Sequence, residues 1–119
     1  MSTERDPAVL VDIANACQLV LNFIENRTKH DLHSDMLLQS AVLHQLLILG
    51  EAVRRLSDEY RAAHAEIEWS GYVGLRNVLI HQYDNVDVEE VWNIAVKEVS
   101  ELHRRLAQLL PFQDESVEE

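Results

Sequence analysis

Between residues 38 and 56 the apolar positions recur every three or four residues. Leu38, Val42, Leu46, Leu49, Val53 and Leu56 form one stripe, and Leu43, Leu47 and Ile48 widen it well beyond a single face. That period belongs to an α-helix, not to a strand. A helix apolar on most sides has to be covered on most sides. A chain of 119 residues holds one core and not two, so this segment is expected to be either the central helix of a bundle or a subunit interface. With only three glycines and two prolines, the chain has too few turn formers for a β fold.

The flanking segments keep the same period. Asp6-Pro7 reads as a helix start, with Asp6 as the cap and Pro7 at the first helical position. Leu10, Ile13, Cys17, Val20 and Ile24 carry an apolar stripe to about Asn26. Residues 27–34 are polar and are expected to form a loop. Ser34 or Asp35 can cap the second helix, which is expected to run to about Glu59. Residues 60–68 offer no more than a broken helical turn. From Trp69 a shorter helix carries Tyr72, Val73, Leu75, Val78, Leu79 and Ile80 up to His81, and residues 82–86 form a connection. Asp87 with Glu90 three residues on has the form of a capping box, with Asp in the Ser/Thr role. The last helix shows Val88, Val91, Ala95, Val99, Leu102, Leu106 and Leu109, and stops at Pro111. The expectation is an all-α bundle of four main helices over residues 1–111, followed by a frayed, disordered acidic tail at 112–119.

Charge narrows the partners. The net charge is −11, and removing the tail with Asp114, Glu115, Glu118 and Glu119 still leaves −7. Binding to phosphate usually leaves a basic footprint. The acidity therefore counts against a broad nucleic-acid surface, DNA included, but not against a small catalytic cleft. Any RNA contact must rely on a local cluster such as Arg76, or on a second chain. The single cysteine, Cys17, cannot form an internal disulfide, and among Ile13, Ala14, Val20 and Leu21 it reads as a buried, inert thiol compatible with a reducing cytoplasm. The N-terminus lacks the basic start and apolar run of a signal peptide. No apolar stretch approaches the roughly 18 residues of a membrane span. A cytoplasmic protein without a membrane partner is expected.

The chemistry is concentrated in Arg76-Asn77-Val78-Leu79-Ile80-His81-Gln82-Tyr83. Arginine is a permanent cation whose planar fork matches a phosphate, and histidine takes and gives a proton near neutrality. Together they are a minimal kit for cutting a phosphodiester without metal. On a straight helix, five residues separate them by about 140° around the axis, so they do not face one point. Either His81 sits where the helix ends, or the site combines residues from two chains, as a two-fold dimer would. Asn77, four residues before His81, is placed to orient the imidazole or contact phosphate. Read from spacing alone, the same residues also fit a histidine serving as a helix-dipole partner, a surface arginine and a packing tyrosine.

Other groups carry less. His30-Asp31-Leu32-His33-Ser34-Asp35 brings histidine and aspartate together but without a distant ligand set, and zinc needs three or four convergent ligands. No metal or cofactor is expected. His44 reads as a core or interface histidine, Glu51 as a partner for a cleft arginine or a surface carboxylate, and His64 and His103 follow no pattern. Phosphate-binding glycine loops and nucleophile elbows are absent from the sequence.

The set Arg76-Asn77-x-x-x-His81-x-Tyr83, preceded by Trp69 and followed by Val86-Asp87 and Val91-Trp92, resembles the signature of the HEPN superfamily, and more closely the HepT toxins of HEPN/MNT toxin–antitoxin systems. Ala41-Val42 and Leu49-Gly50-Glu51-Ala52 are similar to that family's second helix, and the likeness runs from about Leu10 to Leu110. Gln82 stands where many members have glycine. The resemblance implies a HEPN-type up-and-down bundle of four to five helices, homodimeric, with a metal-independent endoribonuclease site of Arg76 and His81 at the dimer cleft. It further implies RNA, tRNA in particular, as substrate, and an MntA-like nucleotidyltransferase antitoxin that transfers AMP onto Tyr83. The other reading of the residues is a non-catalytic helical module that docks a nucleotidyltransferase; the intact Arg/Asn/His/Tyr set favours the enzyme and the acidity favours the module.

Overall fold

A computed structural model describes residues 3–81 and 86–110, with the backbone alone at 76–78, 80 and 81. A single 3-10 turn (Thr3–Arg5) leads into α1 (Asp6–Ile24), followed by α2 (Lys29–Ser34), α3 (Met36–Arg54), α4 (Asp58–Ala63) and α5 (Trp69–His81). The last rod is α6 (Val88–Asn93), a π-helical segment (Ile94–Val99) and α7 (Ser100–Ala107), with helical backbone angles through both junctions. The described residues contain no strand, in agreement with the all-α expectation.

Packing follows the apolar stripes. α1 lies along α3, α3 supports α5 on its other side, and the last rod covers α1. Ile13, Cys17 and Val20 of α1 meet Val42, Leu46, Leu49 and Val53 of α3 in a core shared with Val91, Ala95, Val99, Leu102 and Leu106 of the rod. α3 is thus the central helix that its breadth of apolar residues required. Burial of each of its large side chains contributes roughly 1.5–3 kcal/mol.

Three expectations need correction. Residues 29–34 are helical: the Thr28 hydroxyl accepts from the Asp31 amide at 3.1 Å while the Asp31 carboxylate accepts from the Thr28 amide at 2.9 Å, a reciprocal capping box. Leu32 then plugs the core. One apolar residue in six gave no period to read. The second helix also stops earlier, at Arg54 rather than about Glu59. The cause is a buried polar clamp. Asp6 does not cap α1; it lies in the first turn, and its two carboxylate oxygens accept from the Ser57 amide (2.9 Å) and the Ser57 hydroxyl (2.7 Å). Ser57 is thereby drawn into an extended conformation and caps α4 by accepting from the Tyr60 amide at 3.0 Å. The expected caps at Asp35 and Asp87 are present, accepting from Leu38 and Glu90 amides at 3.1 Å each. The tail at 112–119 lies outside the described residues.

A fourth correction concerns length. Thr3–Ile24 and Met36–Arg54 are both long and apolar enough to cross a membrane by length and composition, although the sequence reading found no such stretch. Both are the core helices just described, which meet that test by facing one another.

Candidate active site

α5 carries the motif, and the described part of α5 shows what holds it. Trp69, Tyr72 and Leu75 are buried and Leu79 is half-buried, so one face of the helix is fastened to the core. Its first turn is pinned twice. The Trp69 indole Nε1–H donates to the His64 carbonyl at 3.0 Å, and Tyr60 packs against both the His64 ring (4.3 Å between centroids) and the Trp69 ring (6.2 Å). Farther along, the Tyr72 hydroxyl donates to the Glu98 carbonyl oxygen at 3.0 Å, fastening α5 to the π segment of the last rod. Burial, with the Glu98 carboxylate next in effect, pushes the Tyr72 phenol up to about 12, so it stays a neutral donor.

On this frame Arg76, Asn77 and His81 share α5, and His81 is its last residue. The side chains of Arg76, Asn77 and His81, and all of Tyr83, lie outside the described residues.

A groove of about 460 Å3 runs beside α5 toward the last rod, edged by Glu68, Glu90 and Glu98 and floored by Gly71 and Gly74. A Cβ added at either glycine would meet nothing within 4 Å. The outer side of α5 is therefore open to close approach by another backbone.

The charges around this frame are largely spoken for within the chain. Arg27 pairs with Asp35 (3.6 Å), Arg54 with Glu51 (3.1 Å), Arg55 with Asp12 (2.7 Å) and Arg61 with Asp58 (2.9 Å). Lys29 pairs with Glu89, and Arg104 and Arg105 both hold Glu101 at 2.6 and 2.8 Å. Those two guanidinium hydrogen bonds keep the Glu101 carboxyl below the usual carboxylate range. Such exposed pairs contribute little to stability, but they leave the described surface without a basic footprint.

The remaining candidates fall into place as structure. Burial pushes the Cys17 thiol up to about 12, which removes it as a nucleophile. His44 is exposed on α3 rather than in the core, and Glu51 accepts a hydrogen bond from Arg54. Among the described residues no group of three or more His, Cys, Asp or Glu side chains is arranged to hold a metal ion. Two positioning residues escaped the sequence reading: Tyr72 was read as apolar core, although a buried phenol needs a hydrogen-bond partner, and Ser57 carried no local signal.

Comparison with known proteins agrees with the family resemblance. A family model described as ribonuclease HepT-like matches residues 13–109. A provisionally named RNase of Caldanaerobacter subterraneus subsp. tengcongensis is 31% identical over 101 residues, 85% of this chain and 90% of that one. A provisionally named ribonuclease HepT of Thermococcus cleftensis is 32% identical over 100 residues, 84% of this chain and 91% of that one. A provisionally named RNase of Methanocaldococcus jannaschii is 29% identical over 106 residues, 89% of this chain and 97% of that one. No solved structure matches.

Proposed function

The chain belongs to the HepT-like ribonuclease family, and from that premise we propose that it is the RNA-cleaving toxin of a toxin–antitoxin pair, working without metal through Arg76 and His81. One observation carries the reading: the family match spans residues 13–109, and within it Arg76, Asn77 and His81 stand on a helix fastened at Trp69 and Tyr72, with His81 at its end. His81 takes the proton of a ribose 2′-OH as general base. The freed oxygen attacks the adjacent phosphorus, the bond to the 5′ oxygen breaks, and that oxygen takes a proton from water, giving a cyclic phosphate end and a 5′-OH end; the proton held by His81 returns to solvent. Arg76 stabilises charge on the phosphoryl oxygens, and Asn77 orients the imidazole or the phosphate. The substrate is cellular RNA, tRNA in particular.

The working unit is a two-fold dimer, which brings two Arg/His sets to one cleft and doubles the local positive charge. Exposed apolar side chains on α1 and α3 (Leu19, Leu37, Ile48) support it. Control comes from an MntA-like nucleotidyltransferase that attaches AMP to Tyr83. The alternative, a non-catalytic module that docks such an enzyme, is favoured by the pairing of described cations within the chain. Incubating purified protein with total RNA beside a His81→Ala control separates the two. Cleavage by the wild type and none by the variant supports the enzyme; an intact RNA pool with both supports the module.

A further inference from the structure

One cavity gathers groups to which the ribonuclease reading gives no task. It lies between α2 and the start of α6, has a volume of about 630 Å3, and is lined by Lys29, His30 and His33 from one side and Asp87 and Glu89 from the other. His30 and His33 are three residues apart on a helix, so they are neighbours on its surface, and both are exposed. The capping box at Thr28 and the buried Leu32 hold that helix in place. Val86, also in the lining, is five residues beyond His81, a chain distance of at most about 17 Å. The cavity is therefore within reach of an RNA strand bound at the motif.

The charge on its walls discriminates between parts of an RNA. Lys29 is already bound to Glu89, and Asp87, which caps α6 at the Glu90 amide, also lines the space, so a bare phosphate meets two carboxylates and a cation that is already paired. Two imidazoles with carboxylate oxygens opposite suit a flat ring with donors on its edge. Unpaired RNA bases are held by stacking on aromatic side chains, histidine included, and by hydrogen bonds to their edges. A carboxylate accepts from an exocyclic amine such as that of cytosine.

We propose that this cavity is a nucleobase subsite of the RNA-cleaving centre, in which His30 and His33 stack an unpaired base of the strand being cut and the carboxylate edge formed by Asp87 and Glu89 favours its exocyclic amine. The subsite rests on the ribonuclease reading. It selects an amine-bearing base over uracil, and it accounts for RNA being held by a protein whose described surface is acidic.

The test uses the full chain and an RNA oligonucleotide that the wild type cleaves. His30→Ala with His33→Ala should raise KM about tenfold, the scale of losing one stacked base, with kcat within twofold. His30→Phe with His33→Phe should restore KM, because stacking survives without the imidazole nitrogens. In a 2′-O-methyl copy carrying 2-aminopurine at the positions flanking the mapped cut, binding should quench fluorescence at one of them, and the double alanine variant should lose the quenching. Unchanged KM and unchanged quenching in that variant overturn the subsite while leaving the ribonuclease intact. A wild type that cuts no RNA overturns the underlying reading and the subsite with it.

Discussion

The hydroxyl of Tyr72 reaches across from α5 to the carbonyl oxygen of Glu98, 3.0 Å away and 26 residues later in the chain. The acceptor lies in the π-helical segment Ile94–Val99, where widened turns loosen the regular backbone ladder and which recurs at functional sites in other proteins. α5 is supported by α3 on one side; this bond holds it on the other. Arg76 is one helical turn beyond Tyr72, so this bond helps the last rod to hold the stretch of helix that carries the motif.

Removing that phenol should be felt in stability and in its pH dependence. Tyr72→Phe keeps the ring and loses the hydrogen bond, at a cost of about 1 kcal/mol in urea denaturation at neutral pH. In the wild type, burial raises both Tyr72 and Cys17 to about 12 from ordinary values of 10.0 and 9.0. Folding therefore holds these protons more tightly than the unfolded chain does. The stability linked to them is whole below about pH 9 and is lost as pH rises toward 12. Denaturation midpoints measured from pH 8 to 12 should fall in the wild type, and Tyr72→Phe should lose less between pH 10 and 12. A flat profile would contradict the burial of both groups.

The Asp6–Ser57 clamp gives a second, independent prediction. Both residues are buried, and Asp6 supplies acceptors to the Ser57 amide and hydroxyl. Asp6→Ala leaves two buried donors without partners and should destabilise the fold by roughly 2–4 kcal/mol. Ser57→Ala should cost about 1–3 kcal/mol, since it removes one bond to Asp6 and the cap of α4. The double variant should lose less than the sum, because the two residues share one network. Full additivity in a urea double-mutant cycle would mean that the clamp is not a coupled unit.

The long helices were legible because each buries a stripe of large apolar side chains at helical spacing, from Leu10 to Ile24, Leu38 to Val53 and Val88 to Leu106. The start of α5 at Trp69 was also legible. What could not be read is long-range. Ser57 breaks the second helix because of a carboxylate 51 residues earlier, and nothing within a few residues of Ser57 reports that. α2 is too short for a period, and Leu32 is its one buried residue. The motif residues were recognisable by type and order, whereas Tyr72, which fastens their helix, looked like ordinary core. Periodicity carries burial; it does not carry the partner of a polar atom.

A stable two-fold dimer is expected in solution. α3 is apolar on most sides, yet Leu37 remains 80% exposed and Ile48 37% exposed, and a chain that leaves such side chains uncovered gains by covering them with its own copy. Light scattering at micromolar concentration should give twice the mass of the chain, and Ile48→Glu should shift the population toward monomer. A folded wild-type monomer that resists association at those concentrations would leave the cleft to a single chain.

Arg76 and His81 should each be indispensable to cleavage while contributing little to folding. Arg76→Ala and His81→Ala are expected to abolish RNA cutting and growth inhibition with an unchanged helical circular dichroism spectrum. Arg76→Lys should also be poor, because a point charge does not reproduce the planar fork on a phosphate. A chelator should leave activity unchanged. Cleavage that survives His81→Ala would remove the general-base role, and loss of activity in EDTA would redirect attention to a bound metal.

The last prediction concerns the control of toxicity. Tyr83 follows His81 by two residues in the sequence, and on the proposed reading a group attached to it would stand at the mouth of the reacting centre. AMP transferred to the phenol oxygen brings a bulky anion there. Its phosphate can pair with the Arg76 guanidinium, in the place meant for the RNA phosphate, and its charge repels incoming RNA. One modification then blocks the centre by shape and by electrostatics together. Mass spectrometry of protein co-expressed with its cognate nucleotidyltransferase should show adducts of AMP mass on the peptide containing Tyr83. Tyr83→Phe should escape both the adduct and the neutralisation while remaining able to cleave RNA, since the phenol takes no part in the proton transfers assigned to His81. If the wild type is neutralised without any adduct, inhibition comes from a stable complex between the two proteins, and the open side of α5 at Gly71 and Gly74 is the first surface on which to look for it.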